Sequence, residues 1–201
     1  MNLSTLFYNL THIKYVHMEN GLDYATRVSG NTLYIYFEDS DGALDWKNNL
    51  DFPAICHGKF FAHRGFLKIW ESAKPLLTRQ ILDTRYSEII ISGYSHGAAL
   101  AVLCHEYAYK IRPDIRDKIS GYGFGCPRVL WGIKTREHRK IWQNFTVIRN
   151  IDDIVTHLPP AFLLYFHVGK ILEIGEWKKY SGVDAHRPES YEKELKNAGY
   201  D

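Results

Sequence analysis

Ser95 stands between two glycines in Gly93-Tyr94-Ser95-His96-Gly97, directly after the β-branched run Ile89-Ile90-Ile91 and directly before Ala98-Ala99-Leu100. A hydroxyl on the tip of a turn from strand to helix needs a strained backbone, and small residues two positions to either side let the strand and helix approach. Ser95 is therefore a candidate nucleophile. The backbone N–H of His96, at the positive end of the following helix, is a candidate donor to an oxyanion.

A serine hydroxyl is a poor nucleophile unless a base takes its proton and an acid holds that base in the right tautomer. In an architecture with this strand-to-helix turn, the expected chain order is serine, acid, histidine. Two adjacent carboxylates, Asp152 and Asp153, compete for the acid. Three later histidines, His157, His167 and His186, are available for the base, although His157 lies only four residues beyond Asp153. Metal chemistry has less to stand on. The ten histidines include no His-x-x-x-His or His-Glu-x-x-His spacing, and Cys56, Cys104 and Cys126 lack the paired spacing of a zinc site. No metal and no cofactor is expected, and the cysteines read as small apolar residues in a reducing compartment.

The elements that must hold these groups are legible as hydrophobic periods. Met1 to Gly21 shows one weak stripe through Leu3, Leu6, Phe7 and Leu10, which predicts a short helix or irregular cap. Asp23 to Val28 and Thr32 to Phe37 read as strands around the turn Ser29-Gly30-Asn31. Ala43 to Leu50 is polar except for Leu44, Trp46 and Leu50 and has the character of a lid. Phe66 to Leu82 predicts a helix kinked or restarted at Pro75, and the helix after Ser95 carries Leu100, Leu103, Cys104, Tyr107, Ala108 and Ile111 on one face. Ile119 to Gly125 and Phe145 to Arg149 read as strands, with a basic helical segment from Ile133 to Asn144 between them. Lys134, Arg136, Arg139 and Lys140 of that segment, broken up by Glu137 and His138, read as a solvated face. Tyr165 to Ile174 reads as a late strand or hairpin, and Pro188 to Ala198 as a charged helix. Strands alternating with helices predict an α/β fold with a mostly parallel sheet flanked by helices, whose site lies at the carboxyl ends of the strands.

The 201 residues read as one domain, spanning 1–201. Twenty-five basic and 23 acidic side chains are interspersed, without the clustered footprint of a nucleic-acid binder. The first twenty residues show no signal-peptide core and no apolar run approaches the length of a membrane span, so a cytoplasmic location is expected.

Several stretches, read together, match one family in its order: Phe37 to Leu50, His63-Arg64-Gly65-Phe66, the Gly-x-Ser-x-Gly turn, Gly123 to Val129, and Asp153-Ile154-Val155 ahead of Leu158-Pro159-Pro160. The chain resembles the class 3, fungal-type lipases over about Leu33 to His186, and the resemblance implies an α/β-hydrolase fold. By that match the acid is Asp153, directly before Ile-Val. His167 resembles a non-catalytic His-Val-Gly strand, and His186, with Asp184 before it and Tyr191 after it, resembles the family's catalytic-histidine segment. Ser40 is implied as the second oxyanion donor, and Ala43 to Leu50 as the lid through which the protein would touch a lipid surface. The pattern departs at Glu38-Asp39, where the family has Arg-Gly; two carboxylates beside an oxyanion would oppose its charge. The resemblance implies hydrolysis of acylglycerol or related lipid esters through an acyl-enzyme on Ser95. A non-catalytic scaffold binding a lipid or a protein is the alternative, and the altered Glu38-Asp39 is its one support.

Overall fold

The computed structural model describes residues 2–18, 21–38 and 53–200. Ser40, Asp39 and the whole of Ala43 to Leu50 lie outside them.

Among the described residues the order of elements is α1 (Leu3–His12), β1 (Val16–His17), β2 (Asp23–Ser29), β3 (Thr32–Phe37), β4 (Ala54–His57), β5 (Phe60–His63), α2 (Arg64–Ile81), β6 (Glu88–Tyr94), α3 (His96–Ile111), β7 (Ile119–Phe124), β8 (Leu130–Trp131), α4 (Arg136–Ile141), β9 (Phe145–Asn150), β10 (Tyr165–Phe166), β11 (Lys170–Ile174) and α5 (Pro188–Asn197). The main sheet runs β1-β2-β3-β6-β7-β9-β11. Its first two pairings are antiparallel and the rest, from β3 to β11, are parallel. Each parallel neighbour requires a crossover, and the crossovers carry the helices to the two faces of the sheet.

Period-two alternation sorts the strand residues between two cores. Leu33, Ile35, Phe37, Ile89 and Ile91 point to the side covered by α2 and α3. Tyr36, Ile90, Tyr94, Phe124 and Ile148 point to the side covered by α1 and α5. The stripe Leu3, Leu6, Phe7 and Leu10 is buried there, so the amino-terminal segment is part of the core rather than an irregular cap. α3 departs from the single face expected of it. From His96 to Glu106 every residue is buried, because the helix is enclosed on all sides, and its sequence is accordingly small and apolar.

Three further expectations shift. α2 runs through Pro75 without a break, the basic segment is helical only over α4, and Tyr165 to Ile174 is two strands of different sheets rather than one. Gly169, with φ +64, lies between these strands; a Cβ there would meet the Phe145 carbonyl, so a hairpin gives way to a tight change of sheet. β10 joins β8, β5 and β4 in a second, antiparallel sheet of order β10-β8-β5-β4. Cys104 and Cys126 are buried as expected, whereas Cys56 is exposed.

The close approach of β6, α3 and β3 rests on two glycines. A Cβ on Gly93 would lie 2.2 Å from the Gly97 carbonyl oxygen, and one on Gly97 would lie 2.3 Å from that of Phe37. Both obstacles are backbone, which cannot rotate away. Gly97→Ala is expected to lower unfolding free energy by about 1–3 kcal/mol or more, with the loss appearing as a reduced urea midpoint. A midpoint equal to that of the unaltered protein would mean β3 and α3 can separate without cost.

Candidate active site

Ser95 sits between β6 and α3 with φ 53 and ψ −120, a conformation that costs a non-glycine residue about 1–3 kcal/mol. The surroundings over-determine it: its N–H donates to the Phe124 carbonyl at 2.9 Å, and its carbonyl accepts from Ala98 at 3.0 Å. The side chain is thereby held at the carboxyl end of β6, fully buried, and its Oγ lies 2.7 Å from Nε2 of His186.

His186 arrives from the other end of the chain, on the short turn Asp184–His186 immediately before α5. Its Nδ1 lies 2.8 Å from Oδ2 of Asp153, which follows β9. The carboxylate accepts at both oxygens. Oδ1 takes the N–H of Val155 at 2.9 Å, and Oδ2 also takes the hydroxyl of Tyr191 at 2.6 Å. A carboxylate that accepts only requires Nδ1 to donate, which leaves Nε2 as an acceptor facing the Ser95 hydroxyl. Gly125, with φ +59 at the end of β7, explains the glycine in Gly123-Phe124-Gly125: a Cβ there would stand 2.9 Å from Cε1 of His186 and 3.3 Å from Oδ2 of Asp153.

Asp152 is turned elsewhere. Its carboxylate accepts the backbone N–H groups of Lys178, Lys179 and Tyr180, and these bonds hold it below the usual carboxylate range. His167 gives Nε2 to the Thr156 carbonyl at 2.8 Å, and burial pushes it down to about 4. His157 lies on the turn Val155–His157, its pKa lowered by burial and by Arg149 and Arg128. The structure thus brings together Ser95, His186 and Asp153, leaves Asp152 and His167 in other bonds, and places His157 on a separate turn.

The first N–H of α3 belongs to His96, within the turn whose N–H groups have no intrahelical acceptor. Its imidazole is buried with its ring 5.4 Å from that of Phe66, and burial, with His63 adding to it, pushes it down to about 4. His96 therefore contributes a backbone donor and a neutral, packed side chain. Glu38 sits beside His17 and Asp23, their ligating atoms all within 4.8 Å of one another.

Two tyrosines absent from the sequence-based set complete the surroundings. Tyr94 donates to the His186 carbonyl and stacks on the His186 ring, with centroids 5.3 Å apart and planes 18° from parallel. Tyr191 holds Asp153 and accepts the N–H of Asn150. Phe7 of α1 packs against both. The signal for Tyr191 was its place four residues before Leu195 on the buried stripe of α5; Tyr94 had none beyond its position beside Ser95.

Among the described residues, no helix is long and apolar enough to cross a membrane. Residues 34–163 match the family described as Lipase (class 3). A lipase of Rhizomucor miehei is 28% identical over 152 residues, covering 71% of this chain and 41% of its own length, so the chain spans less than half of that curated relative. The solved triacylglyceride lipase of Rhizomucor miehei superposes with a TM-score of 0.68 at 24% identity, over 82% of this chain and 66% of its own. A triacylglycerol lipase described as having a serine protease triad at its catalytic centre superposes with a TM-score of 0.71 at 24% identity, over the same shares of each chain.

Three buried histidines, His96, His105 and His167, are each pushed down to about 4. Between about pH 4 and the ordinary value of 6.5 the unfolded chain binds more protons than the folded one, so stability rises with pH across this window. Acidification from pH 7 to 4.5 is expected to lower the unfolding free energy progressively, each histidine contributing on the order of 1 kcal/mol per pH unit once below the unfolded pKa. Urea titrations at several pH values test this, and a flat midpoint from pH 7 to 4.5 would contradict it.

Proposed function

The chain belongs to the class 3 lipase family and has its α/β-hydrolase fold, and we propose that it is a serine carboxylic-ester hydrolase acting on acylglycerol or related lipid esters. The observation that carries this reading is the continuous chain of hydrogen bonds from Ser95 Oγ through both ring nitrogens of His186 to Asp153.

The chemistry follows from that chain. Ser95 Oγ attacks the ester carbonyl carbon while its proton passes to Nε2 of His186. Asp153, already holding the Nδ1 proton, offsets the positive charge that forms on the ring. The tetrahedral oxyanion accepts the N–H of His96 at the head of α3, with Ser40 as the second donor. His186 then gives its proton to the leaving alcohol oxygen, and the C–O bond breaks to leave the acyl group on Ser95. A water then gives a proton to Nε2 as its oxygen attacks the acyl carbon; the bond from that carbon to Oγ breaks, Nε2 returns the proton to Oγ, and the carboxylic acid leaves. Tyr191 acts as a positioning residue: by donating to Oδ2 it fixes the edge of Asp153 that meets His186. Each step is a proton transfer or an acyl transfer, and none calls on a metal or an organic cofactor.

In this reading the segment Ala43 to Leu50 is a lid, and Trp46 its apolar contact. Substrate range follows from how it behaves at an interface. A hydrolysis rate that jumps once a triacylglycerol passes its solubility limit marks a lipase, and smooth saturation below that limit marks an esterase.

A fluorophosphonate is expected to label Ser95, and p-nitrophenyl butyrate to be hydrolysed. Ser95→Ala and His186→Ala are expected to reduce turnover by about 10⁴-fold or more, whereas His167→Ala retains it in the folded protein. A folded protein that neither labels nor turns over would sink the hydrolase in favour of a binding scaffold. Tyr191→Phe is expected to lower kcat by about tenfold with KM little changed, since it removes one hydrogen bond to a charged group. Restoring a hydroxyl at that position is the only change that recovers it. An unaltered kcat would leave Tyr191 a packing residue alone.

A further inference from the structure

The second sheet presents a face that no step of the hydrolysis uses. Phe61 and Trp131 are register partners on that face, their rings meeting edge to face at 5.6 Å. The N–H of Gly132 donates to the Leu164 carbonyl at 3.0 Å and draws the turn 161–164 alongside. Ile133 and Phe162 are then 84% and 83% exposed, and Leu163, Leu164 and Phe61 are exposed as well. Apolar side chains this large, grouped and facing solvent, mark a surface that meets something other than water.

Among the described segments that form this face, the charge is mostly positive. Ile154 to Leu172 contains no Asp or Glu, and neither does Pro53 to His63. Pro127 to Ile141 contains one, Glu137, against Arg128, Lys134, Arg136, Arg139 and Lys140. Glu137 is paired with Lys59 at 3.3 Å. His138 does not interrupt the outer face as its place in the sequence suggested. It is buried against Phe60 and Trp142, where it caps α4 through Thr135. Lys134 donates to the His167 carbonyl at 3.1 Å, while Arg136, Arg139 and Lys140 are exposed, and among the described segments of this face Glu137 is the one acid beside them.

The face also runs toward the reacting groups. His63, two residues beyond Phe61 and so on the same side of β5, has its ring 6.1 Å from Tyr165 and stacked at 4.3 Å on Phe66, whose ring lies 5.4 Å from that of His96, next to Ser95.

We propose that this face docks the protein on an anionic lipid bilayer, with Ile133 and Phe162 entering the acyl boundary and Arg136, Arg139 and Lys140 meeting the headgroups. Apolar burial and headgroup attraction together make an attachment stronger than either alone. A second copy of the chain fits poorly, since two such faces would repel. The proposal takes its purpose from the hydrolase reading, because docking brings Ser95 to a surface that holds ester substrate. The attachment itself needs no turnover.

The full chain carrying Ser95→Ala, which cannot alter the lipid, is floated with phosphatidylcholine vesicles with or without about one third phosphatidylserine. Binding is expected to the anionic vesicles only, and to weaken at high salt. Ile133→Ser with Phe162→Ser is expected to lower the affinity about tenfold or more, and Arg136→Glu with Arg139→Glu to lower it comparably. The same pairs in the unaltered background are expected to hydrolyse soluble p-nitrophenyl butyrate at the ordinary rate, which shows that they fold. Absent binding, equal binding to neutral and anionic vesicles, or binding that survives both pairs overturns the proposal. An acidic protein that competes for the face while vesicles do not overturns it equally. Loss of butyrate hydrolysis in the unaltered protein would instead count against the hydrolase and leave the vesicle result standing.

Discussion

Everything around the reacting groups depends on one constraint: Ser95 is held at φ 53 between a strand and a helix that touch through Gly93 and Gly97. A relaxed backbone would swing Oγ away from His186. It is kept strained because β6 is bonded on both sides, to β3 and β7, and because α3 is enclosed along its first eleven residues. The cost of about 1–3 kcal/mol is small against the burial that surrounds it. The same strain places the head of α3, with its unsatisfied N–H groups, beside the hydroxyl, so the proposed nucleophile and one proposed oxyanion donor are set by a single feature of the chain.

His186 and Asp153, the proposed base and acid, are held differently, by long-range contacts rather than by local geometry. His186 is 91 residues from Ser95 and 33 from Asp153. Its position depends on α5, which packs on the sheet beside α1 and carries Tyr191 down onto Asp153. Phe7 sits under this arrangement, in contact with both Tyr94 and Tyr191. A helix that lies before the family match thus supports groups that lie near its end and beyond it.

This division explains what could be read from the sequence. Local patterns carry the strands, the helices and the turn at Ser95, because β-branched runs, 3.6-residue stripes and paired glycines each have a local cause. The second sheet was not legible: β8 and β10 are two residues each, too short for any period, and they exist only because β5 provides an edge. Choosing between Asp152 and Asp153, or among His157, His167 and His186, needed the order of a known family. The physical distinction is where each side chain points after β9 and β11, and no spacing encodes that. Tyr94 was invisible and Tyr191 legible only as part of the His186 segment and of the α5 stripe, because a buried hydroxyl has a role only once its acceptor is in place.

The departure at Glu38 has a different weight once its surroundings are known. Two carboxylates near a developing oxyanion would raise the barrier, since like charges at a few ångströms repel strongly in a buried site. The Glu38 carboxylate, however, lies with His17 and Asp23 at the β1 and β2 edge of the sheet, and the backbone N–H of Glu38 donates to the Asp23 carbonyl at 3.1 Å. What Glu38 offers to α3 is its main chain, whose carbonyl would meet a Cβ on Gly97 at 2.4 Å. The residue therefore meets α3 as backbone, while its carboxylate lies elsewhere, with the His17 imidazole and the Asp23 carboxylate. At Glu38 the departure is then better understood as a change in how the end of β3 meets β2 than as a charge beside the acyl transfer; Asp39 lies outside the described residues.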